Sequence, residues 1–163
     1  MINSRPFTLV GTDFGADNKT FPDGSLCPNN DSPAISWYGA PSDTVTFAVI
    51  QHAPLDDVPD RPPFKWWWML YNIPASVSSL DAGDLGGGIL GSNSCKGEIM
   101  GGYSPPCPRD SGVHTLCLTM YALSGILNIS SPESVTYDEL IAAMEGQIID
   151  TAQLYASFQL NRD

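Results

Sequence analysis

TVTFAVI, at residues 44–50, is the segment that most strongly indicates the type of fold. It carries β-branched and aromatic residues on both faces, which predicts a strand buried on two sides. KWWWMLYNIP at 65–74 and HTLCLTMYAL at 114–123 share this apolar, extended character. FTLV at 7–10 and ISWY at 35–38 are shorter strand candidates. These segments predict a mostly β protein.

Turn residues and one helix complete the pattern. Fifteen glycines and 14 prolines are scattered over 163 residues, which is typical of a loop-rich β fold. A helix is predicted to begin near Thr136, because Thr136 and Glu139 form a capping-box pattern before LIAAM. Its apolar face is expected to comprise Leu140, Met144, Ile148, Ala152 and Tyr155, with a break at Gly146. The expected architecture is one domain over residues 1–163, an antiparallel β-sandwich with a peripheral C-terminal helix.

The chain is strongly acidic. Seven basic residues against 18 acidic ones give a formal net charge of −11, so nucleic acids and anionic membrane surfaces would be repelled. No apolar run approaches the roughly 20 residues that cross a bilayer, so no transmembrane segment is expected. MINSRPFTLV lacks the features of a signal peptide, which favours the cytoplasm. Secretion stays open if a signal peptide has been removed, since Asn18, Asn30 and Asn128 begin glycosylation sequons.

Four cysteines, Cys27, Cys95, Cys107 and Cys117, show no CxxC spacing, so no zinc site is expected. Cys117 stands in an apolar run and is predicted to be buried. In an oxidising compartment Cys27 could bridge to Cys95 or to Cys107, and the sequence leaves both pairings open. No phosphate-binding loop or dinucleotide fingerprint is present, so no cofactor is predicted.

Several segments resemble, in order and spacing, the phosphatidylethanolamine-binding or Raf kinase inhibitor family. They are SPAISW (32–37), TFAVIQHAP (46–54), WWWMLYNIP (66–74), GGGILGSN (86–93), GYSPPCP (102–108), GVHTLCLTMYAL (112–123) and the final helix. The resemblance covers nearly the whole chain. It implies a sandwich with a small cavity at one end that accepts phosphate, acetate or a phospholipid head group.

The resemblance also implies which residues would line that cavity. His114 matches a family histidine, and Ala53 and Pro54 match the Ala-Pro pair that follows two family aspartates. The other positions depart from the family. Ile50 and His52 replace the aspartates, Trp67 replaces a histidine, and Thr115 and Leu116 replace an arginine and a tyrosine. Ser104 and Pro106 replace loop glycines, Pro108 keeps a proline, and Tyr103 and Tyr155 are further candidates.

These replacements predict a changed ligand. Fewer hydrogen-bond donors remain for an anion, and Trp67 offers a flat apolar face, so a small apolar or aromatic organic molecule is the expected ligand. Because side chains alternate along a strand, Trp67 should face the cavity while Trp66 and Trp68 face the opposite layer.

Both histidines of the chain, His52 and His114, map to this one site. Imidazole titrates near ~6.5, so the pair could supply one acid and one base. The leading hypothesis is a cofactor-free isomerase, cyclase or lyase of biosynthesis, with His52 and His114 as catalytic residues. One alternative is that each histidine is only a structural residue. Others are a regulator that inhibits a kinase or protease partner through loop 55–63, and an anion or phospholipid head-group binder.

Overall fold

A five-stranded antiparallel sheet forms the centre of the molecule, in a computed structural model that describes residues 6–54, 65–94, 100–107 and 112–159. The strands are β3 (Thr46–His52), β4 (Trp66–Pro74), β6 (Ile89–Leu90), β9 (His114–Leu123) and β10 (Ile148–Phe158). Their spatial order is β10-β9-β3-β4-β6. The three strongest strand predictions are therefore confirmed.

A smaller antiparallel sheet packs against one face of the central sheet. Its strands, in spatial order, are β1 (Thr8–Gly11), β2 (Ile35–Tyr38) and β5 (Ser79–Leu80). Among the described residues, the elements that precede the α-helix also include a two-stranded pair, β7 (Ser92–Asn93) with β8 (Met100–Gly101), and two short 3₁₀ helices, Asp23–Ser25 and Pro132–Ser134. The antiparallel β-sandwich expected from the sequence is confirmed.

The central sheet is buried on both faces. Between the two sheets lies the sandwich core, with Trp37 from β2 and Val49, Leu70 and Leu118 from the central sheet. The other face carries the helix-side core, which includes Ile50, Met69, Tyr121, Leu140 and Met144. All seven residues of β3 are buried as a result, as its two-sided apolar character predicts.

The helix α1 (Tyr137–Met144) begins where the sequence predicts. The Thr136 side chain accepts from the Glu139 backbone N–H, and the Glu139 carboxylate accepts from the Thr136 N–H, so the capping box is formed. The backbone then turns at Gly146, whose φ of 84° favours glycine.

The prediction that the helical face continues through Ile148, Ala152 and Tyr155 is wrong. Those residues belong to β10, which pairs antiparallel with β9 along its whole length. Alternate residues of the strand, Ala152, Leu154, Ala156 and Phe158, are buried. Pairing with a buried neighbouring strand outweighs the weaker helical periodicity, because each inward side chain enters the sandwich core.

Asn72 bends β4 near its end. Its φ of 57° places it in the left-handed region, and the strand pairing shifts by one residue nearby, between Phe47 and Val49 of β3. The Asn72 amide donates to the Leu127 carbonyl at 2.8 Å and accepts from the Leu127 N–H at 2.8 Å. This paired contact fixes the connection between β9 and α1 on the helix side of the sheet.

Two of the cysteines form a disulfide, and a third is buried. Cys27 and Cys107 form a disulfide that spans 80 positions of the chain. Cys117 is fully buried, as predicted, and Cys95 lies outside the described residues. The described residues contain no helix with the length and apolarity that a membrane crossing requires.

Candidate functional site

A cavity of about 340 Å³ lies at the end of the central sheet where β3 and β10 end and where β4 and β9 begin. Its lining residues are Ala53, Lys65, Trp67, Pro106, Cys107, His114, Thr115 and Phe158. The volume is near the lower end of the range for small-molecule sites.

Four of the predicted site residues meet at this cavity: Ala53, Trp67, Pro106 and His114. Ala53 follows the last residue of β3, and its N–H donates to the Lys65 carbonyl at 2.9 Å, which closes β3 onto the start of β4. The sheet pairing thus brings segments that are far apart in sequence to one end of the sandwich.

The rings of His114 and Phe158 form one wall. The two residues are directly opposed on β9 and β10, and their ring centroids are 5.5 Å apart with an interplanar angle of 25°. His114 is half-buried and Phe158 is buried. The stacking contact orients the imidazole plane at the cavity.

Trp67 reaches the cavity through a β-bulge. His52 pairs with Trp66 and Gln51 pairs with Trp68, so Trp67 is the extra residue on β4. Trp67 and Trp68 both pack toward the sandwich core, whereas Trp66 lies in the helix-side core. The prediction that Trp68 faces the opposite layer with Trp66 is therefore wrong, because strict alternation fails at a bulge.

His52 lies on the other face of the central sheet, away from His114. It pairs with Cys117 of β9, and Cys117 is three positions from His114, so the two imidazoles project from opposite faces. Its side chain is 1% exposed, and its ring centroid is 5.8 Å from that of Tyr137 at the start of α1. The expected pairing of two histidines in one cavity is wrong for this geometric reason.

The ring of His52 is engaged at both nitrogens. Nδ1 lies 2.7 Å from the Ala53 carbonyl oxygen, and Nε2 lies 2.9 Å from the Thr119 hydroxyl. Burial lowers the pKa of His52, while the hydrogen bond to the Ala53 carbonyl opposes this in part. The imidazole is therefore neutral at neutral pH, with Nδ1–H donating to Ala53 and Nε2 accepting from Thr119. This is the arrangement of a structural histidine.

The remaining predicted lining residues lie elsewhere. Ile50 is in the helix-side core, and Leu116 is in the sandwich core. The Tyr103 hydroxyl donates to the Ser25 carbonyl at 2.6 Å, and the Ser104 N–H donates to the Trp67 carbonyl at 2.9 Å, so both position the wall without forming it. Pro54 is buried beside Ala53, Tyr155 is on the exposed side of β10, and Pro108 lies outside the described residues.

Sequence reasoning missed three lining residues, Lys65, Cys107 and Phe158, whereas the family resemblance had already placed Thr115 in the pocket wall. Lys65 stands two positions before Trp67, a spacing that places both on one side of an extended chain. Phe158 was missed because β10 was read as helix. Cys107 follows Pro106, and its disulfide to Cys27 could not be chosen over Cys95 from spacing alone. Among the described residues, no group of three metal-ligating side chains is present.

Comparison with known proteins gives one family. The model of the family described as phosphatidylethanolamine-binding protein matches residues 12–159. A UPF0098 protein of Methanothermobacter thermautotrophicus is 34% identical over 136 residues, covering 80% of this chain and 83% of that protein. A UPF0098 protein of Chlamydia muridarum is 37% identical over 131 residues, with 78% of this chain and 82% of that protein covered.

Solved structures show the same fold. The crystal structure of a putative phosphatidylethanolamine-binding protein homolog, CT736 from Chlamydia trachomatis, superimposes with a TM-score of 0.77 at 28% identity, covering 97% of this chain and 100% of that chain. Escherichia coli YbcL, described as a new member of the mammalian family, gives a TM-score of 0.77 at 21% identity, covering 96% of this chain and 100% of that chain.

Proposed function

Because the chain belongs to the phosphatidylethanolamine-binding protein family, we propose that its cavity binds a small organic molecule between Trp67 and His114. The observation that carries the proposal is the β-bulge in β4, which brings the Trp67 indole to the cavity. Trp67 has no opposing residue on β3, because His52 pairs with Trp66 and Gln51 pairs with Trp68. With the His114 and Phe158 rings as a second wall, the cavity offers flat surfaces on which a ring can stack.

A bare phosphate would use this cavity poorly. An oxyanion needs several converging donors, and much of the described lining here is carbon surface from Ala53, Trp67, Pro106 and Phe158. Leu116, which replaces a family tyrosine, is buried in the sandwich core and supplies no hydroxyl. The anion or head-group alternative is therefore the weaker one.

The enzymatic part of the proposal depends on one imidazole. His52 is enclosed on the opposite face, so an isomerase, cyclase or lyase reaction at this cavity would use His114 as its histidine, without His52. A single imidazole can remove a proton and return it to another atom of the same ligand, which is sufficient for isomerisation without a cofactor. The regulator hypothesis, which involves loop 55–63, concerns residues outside those described and stays a prediction.

The binding proposal can be tested with uncharged aromatic probes. Isothermal titration with 2-naphthamide should give measurable binding to the wild type and at least about tenfold weaker binding to Trp67→Leu, because the stacking surface is lost. Tyr155→Leu is the matched control, since it changes an exposed aromatic residue away from the cavity and should leave binding unchanged. Equal affinities in the wild type and in Trp67→Leu would overturn the proposal.

The role of His114 needs a separate variant. Replacing it with Gln keeps the size of the side chain but removes the titrating base, so turnover of any substrate found should be lost. 2-Naphthamide should still bind to Trp67, but more weakly, because one ring of the second wall is removed. His52→Gln should leave turnover intact if the protein folds. Turnover that survives His114→Gln would rule out the single-base chemistry.

The disulfide is relevant to the cellular compartment in which the protein resides. A bridge between Cys27 and Cys107 favours an oxidising compartment, the alternative that the sequence left open, over the cytoplasm. Alkylation of thiols in freshly lysed source cells, followed by mass spectrometry, should find Cys27 and Cys107 protected. If Cys27 and Cys107 are instead alkylated, they are free thiols in the cell, and the cytoplasm becomes the favoured compartment.

A further inference from the structure

We infer that Asn128 is a site of N-linked glycosylation. Asn18, Asn30 and Asn128 each begin an Asn-X-Ser/Thr sequon, and such triplets also occur by chance. The folded chain distinguishes the three, because a sequon is usable when its amide and the hydroxyl two positions later are both accessible. This inference concerns a surface that the proposed ligand does not touch, so the two stand or fall separately.

Residues 127–130 present the Asn128 sequon to solvent. Leu127 is buried, Asn128 is exposed, Ile129 is half-buried and Ser130 is exposed, which is the alternation of an extended segment. The amide of Asn128 and the hydroxyl of Ser130 therefore lie on the same outward side. Within the described part of the chain neither side chain makes a hydrogen bond, so both groups are available for modification.

Leu127 fixes the direction in which this sequon points. Its N–H donates to the Asn72 amide oxygen and its carbonyl accepts from the Asn72 amide nitrogen, both at 2.8 Å. Its side chain packs into the helix-side core. Because the residue before Asn128 is held by its backbone and by its side chain, the outward direction of the Asn128 side chain is a stable feature of the fold.

The surface beside Asn128 has room for a sugar. A depression of about 410 Å³ adjoins it, and its polar lining comprises Asn128, Ser130, Ser131, Ser134 and Glu139. Hydroxyl and carboxylate groups of this kind can hydrogen-bond to the hydroxyls of a first sugar residue.

This surface is also remote from the ligand cavity. The cavity lies at the start of β9, whereas Asn128 follows the end of that strand. Ten extended residues span about 30 Å, so a glycan on Asn128 would leave the cavity open.

The other two sequons are less available. Asn18 is half-buried, its φ is 61°, and its amide oxygen accepts from the Gly11 N–H at 3.1 Å, so this amide is part of a turn. Asn30 is exposed, but Ser32, which supplies the hydroxyl of its sequon, is only 5% exposed. The folded protein is therefore expected to carry a glycan at Asn128 and at neither of these positions.

The Cys27–Cys107 disulfide supports the compartment that the modification requires. Proteins receive asparagine-linked glycans as they enter the secretory route, and disulfides persist in the same oxidising compartments. The donor is an oligosaccharide linked to a polyprenyl diphosphate. The Asn128 amide nitrogen forms a bond to the anomeric carbon, the bond from that carbon to the diphosphate oxygen breaks, and the amide proton passes to a base of the transferase. No oxidant or reductant is needed.

Protein purified from source cells provides the direct test. Peptide-N-glycosidase, used in water enriched in heavy oxygen, converts a glycosylated asparagine to a labelled aspartate. Mass spectrometry of the resulting peptides should find the label at Asn128 and not at Asn18 or Asn30. An unlabelled Asn128 overturns the inference, and a label at Asn18 or Asn30 overturns the selection by the folded structure.

Variants produced in the same cells assign the glycan independently. Asn128→Gln and Ser130→Ala should each abolish the mobility shift that glycosidase treatment causes, whereas Ser130→Thr should retain it, because threonine keeps the hydroxyl. Asn30→Gln and Thr20→Val are the matched controls, since each removes another sequon, and both should retain the shift. A shift that survives Asn128→Gln and Ser130→Ala places the sugar elsewhere and overturns the inference.

Discussion

At the scale of single residues, His52 makes a testable contribution to stability. Its folded-state pKa lies below the ordinary value of 6.5, because burial disfavours the charged ring. The unfolded chain therefore takes up a proton first as the pH falls. The contribution of His52 to the free energy of unfolding should therefore be largest above pH 6.5. It should decrease as the pH is lowered from 6.5 to the folded-state pKa, by up to about 1.4 kcal/mol per pH unit.

Urea denaturation at several pH values between 5.5 and 7.5 measures this loss. His114→Gln should keep the decline, because the second histidine of the chain is removed while His52 remains. His52→Gln should be less stable at pH 7.5 but should show a flatter pH dependence. A wild-type stability that is constant over this range would contradict the assignment of His52 as a buried, neutral residue.

The misplacement of His52 shows what residue matching leaves out. Its position in the chain relative to Ala53 and Pro54 is the one the family resemblance predicts, but the direction of its side chain depends on strand phase. β3 pairs with β9 so that His52 is opposite Cys117, and this register follows from tertiary pairing that no local pattern contains. Lys65 was not predicted as a lining residue, because none of the family positions matched to the cavity corresponds to it.

At the scale of elements, Asn72 shapes the end of β4. Asn72→Ala should lower the free energy of unfolding by about 2–4 kcal/mol, since it loses both hydrogen bonds to Leu127 and forces alanine into a left-handed backbone. Asn72→Gly loses the same hydrogen bonds without that backbone cost. It should be the more stable variant by about 1 kcal/mol in the same urea titration.

The reverse order, with Asn72→Ala more stable than Asn72→Gly, would show that the backbone at this position relaxes away from its positive φ. Asn72→Asp is a further variant, because it keeps the acceptor to the Leu127 N–H but replaces the donor with a carboxylate oxygen that faces the Leu127 carbonyl oxygen. It should be less stable than the wild type.

The strands were more predictable than their irregularities. β3, β4 and β9 are continuous apolar runs, and a central sheet with a core on each face requires that composition. The bulge at Trp67 could not be foreseen, because three consecutive tryptophans fit either phase. The stretch that forms β10 contains both a period of about four and a period of two, and its pairing with β9 decides between them.

At the scale of the whole molecule, the disulfide joins the smaller sheet region to the cavity. Cys27 follows the first 3₁₀ helix, while Cys107 lines the cavity 80 positions later. Removing the bridge with Cys27→Ser and Cys107→Ser should lower the free energy of unfolding by about 2–4 kcal/mol, because the closed loop restricts the unfolded chain.

Thermal and urea unfolding of the two single variants and the double variant check this prediction. The three should have similar stabilities, since each breaks the same bond. A loss below about 1 kcal/mol in all three would mean that the unfolded chain gains little freedom when the bridge is absent.

The central sheet is buried on both faces, and the two faces have different roles. On one face, the contacts beneath α1 stabilise the fold and lie away from any ligand. On the other face, the sandwich core ends at the ligand cavity. Substitutions at His114, which is half-buried and lines the cavity, leave the helix-side core untouched, so relatives can keep that core while their ligands differ. For an engineer, His114 is the position to randomise, whereas Cys107 and Phe158, which belong to the disulfide and to the sandwich core, are positions to keep together with the α1 side.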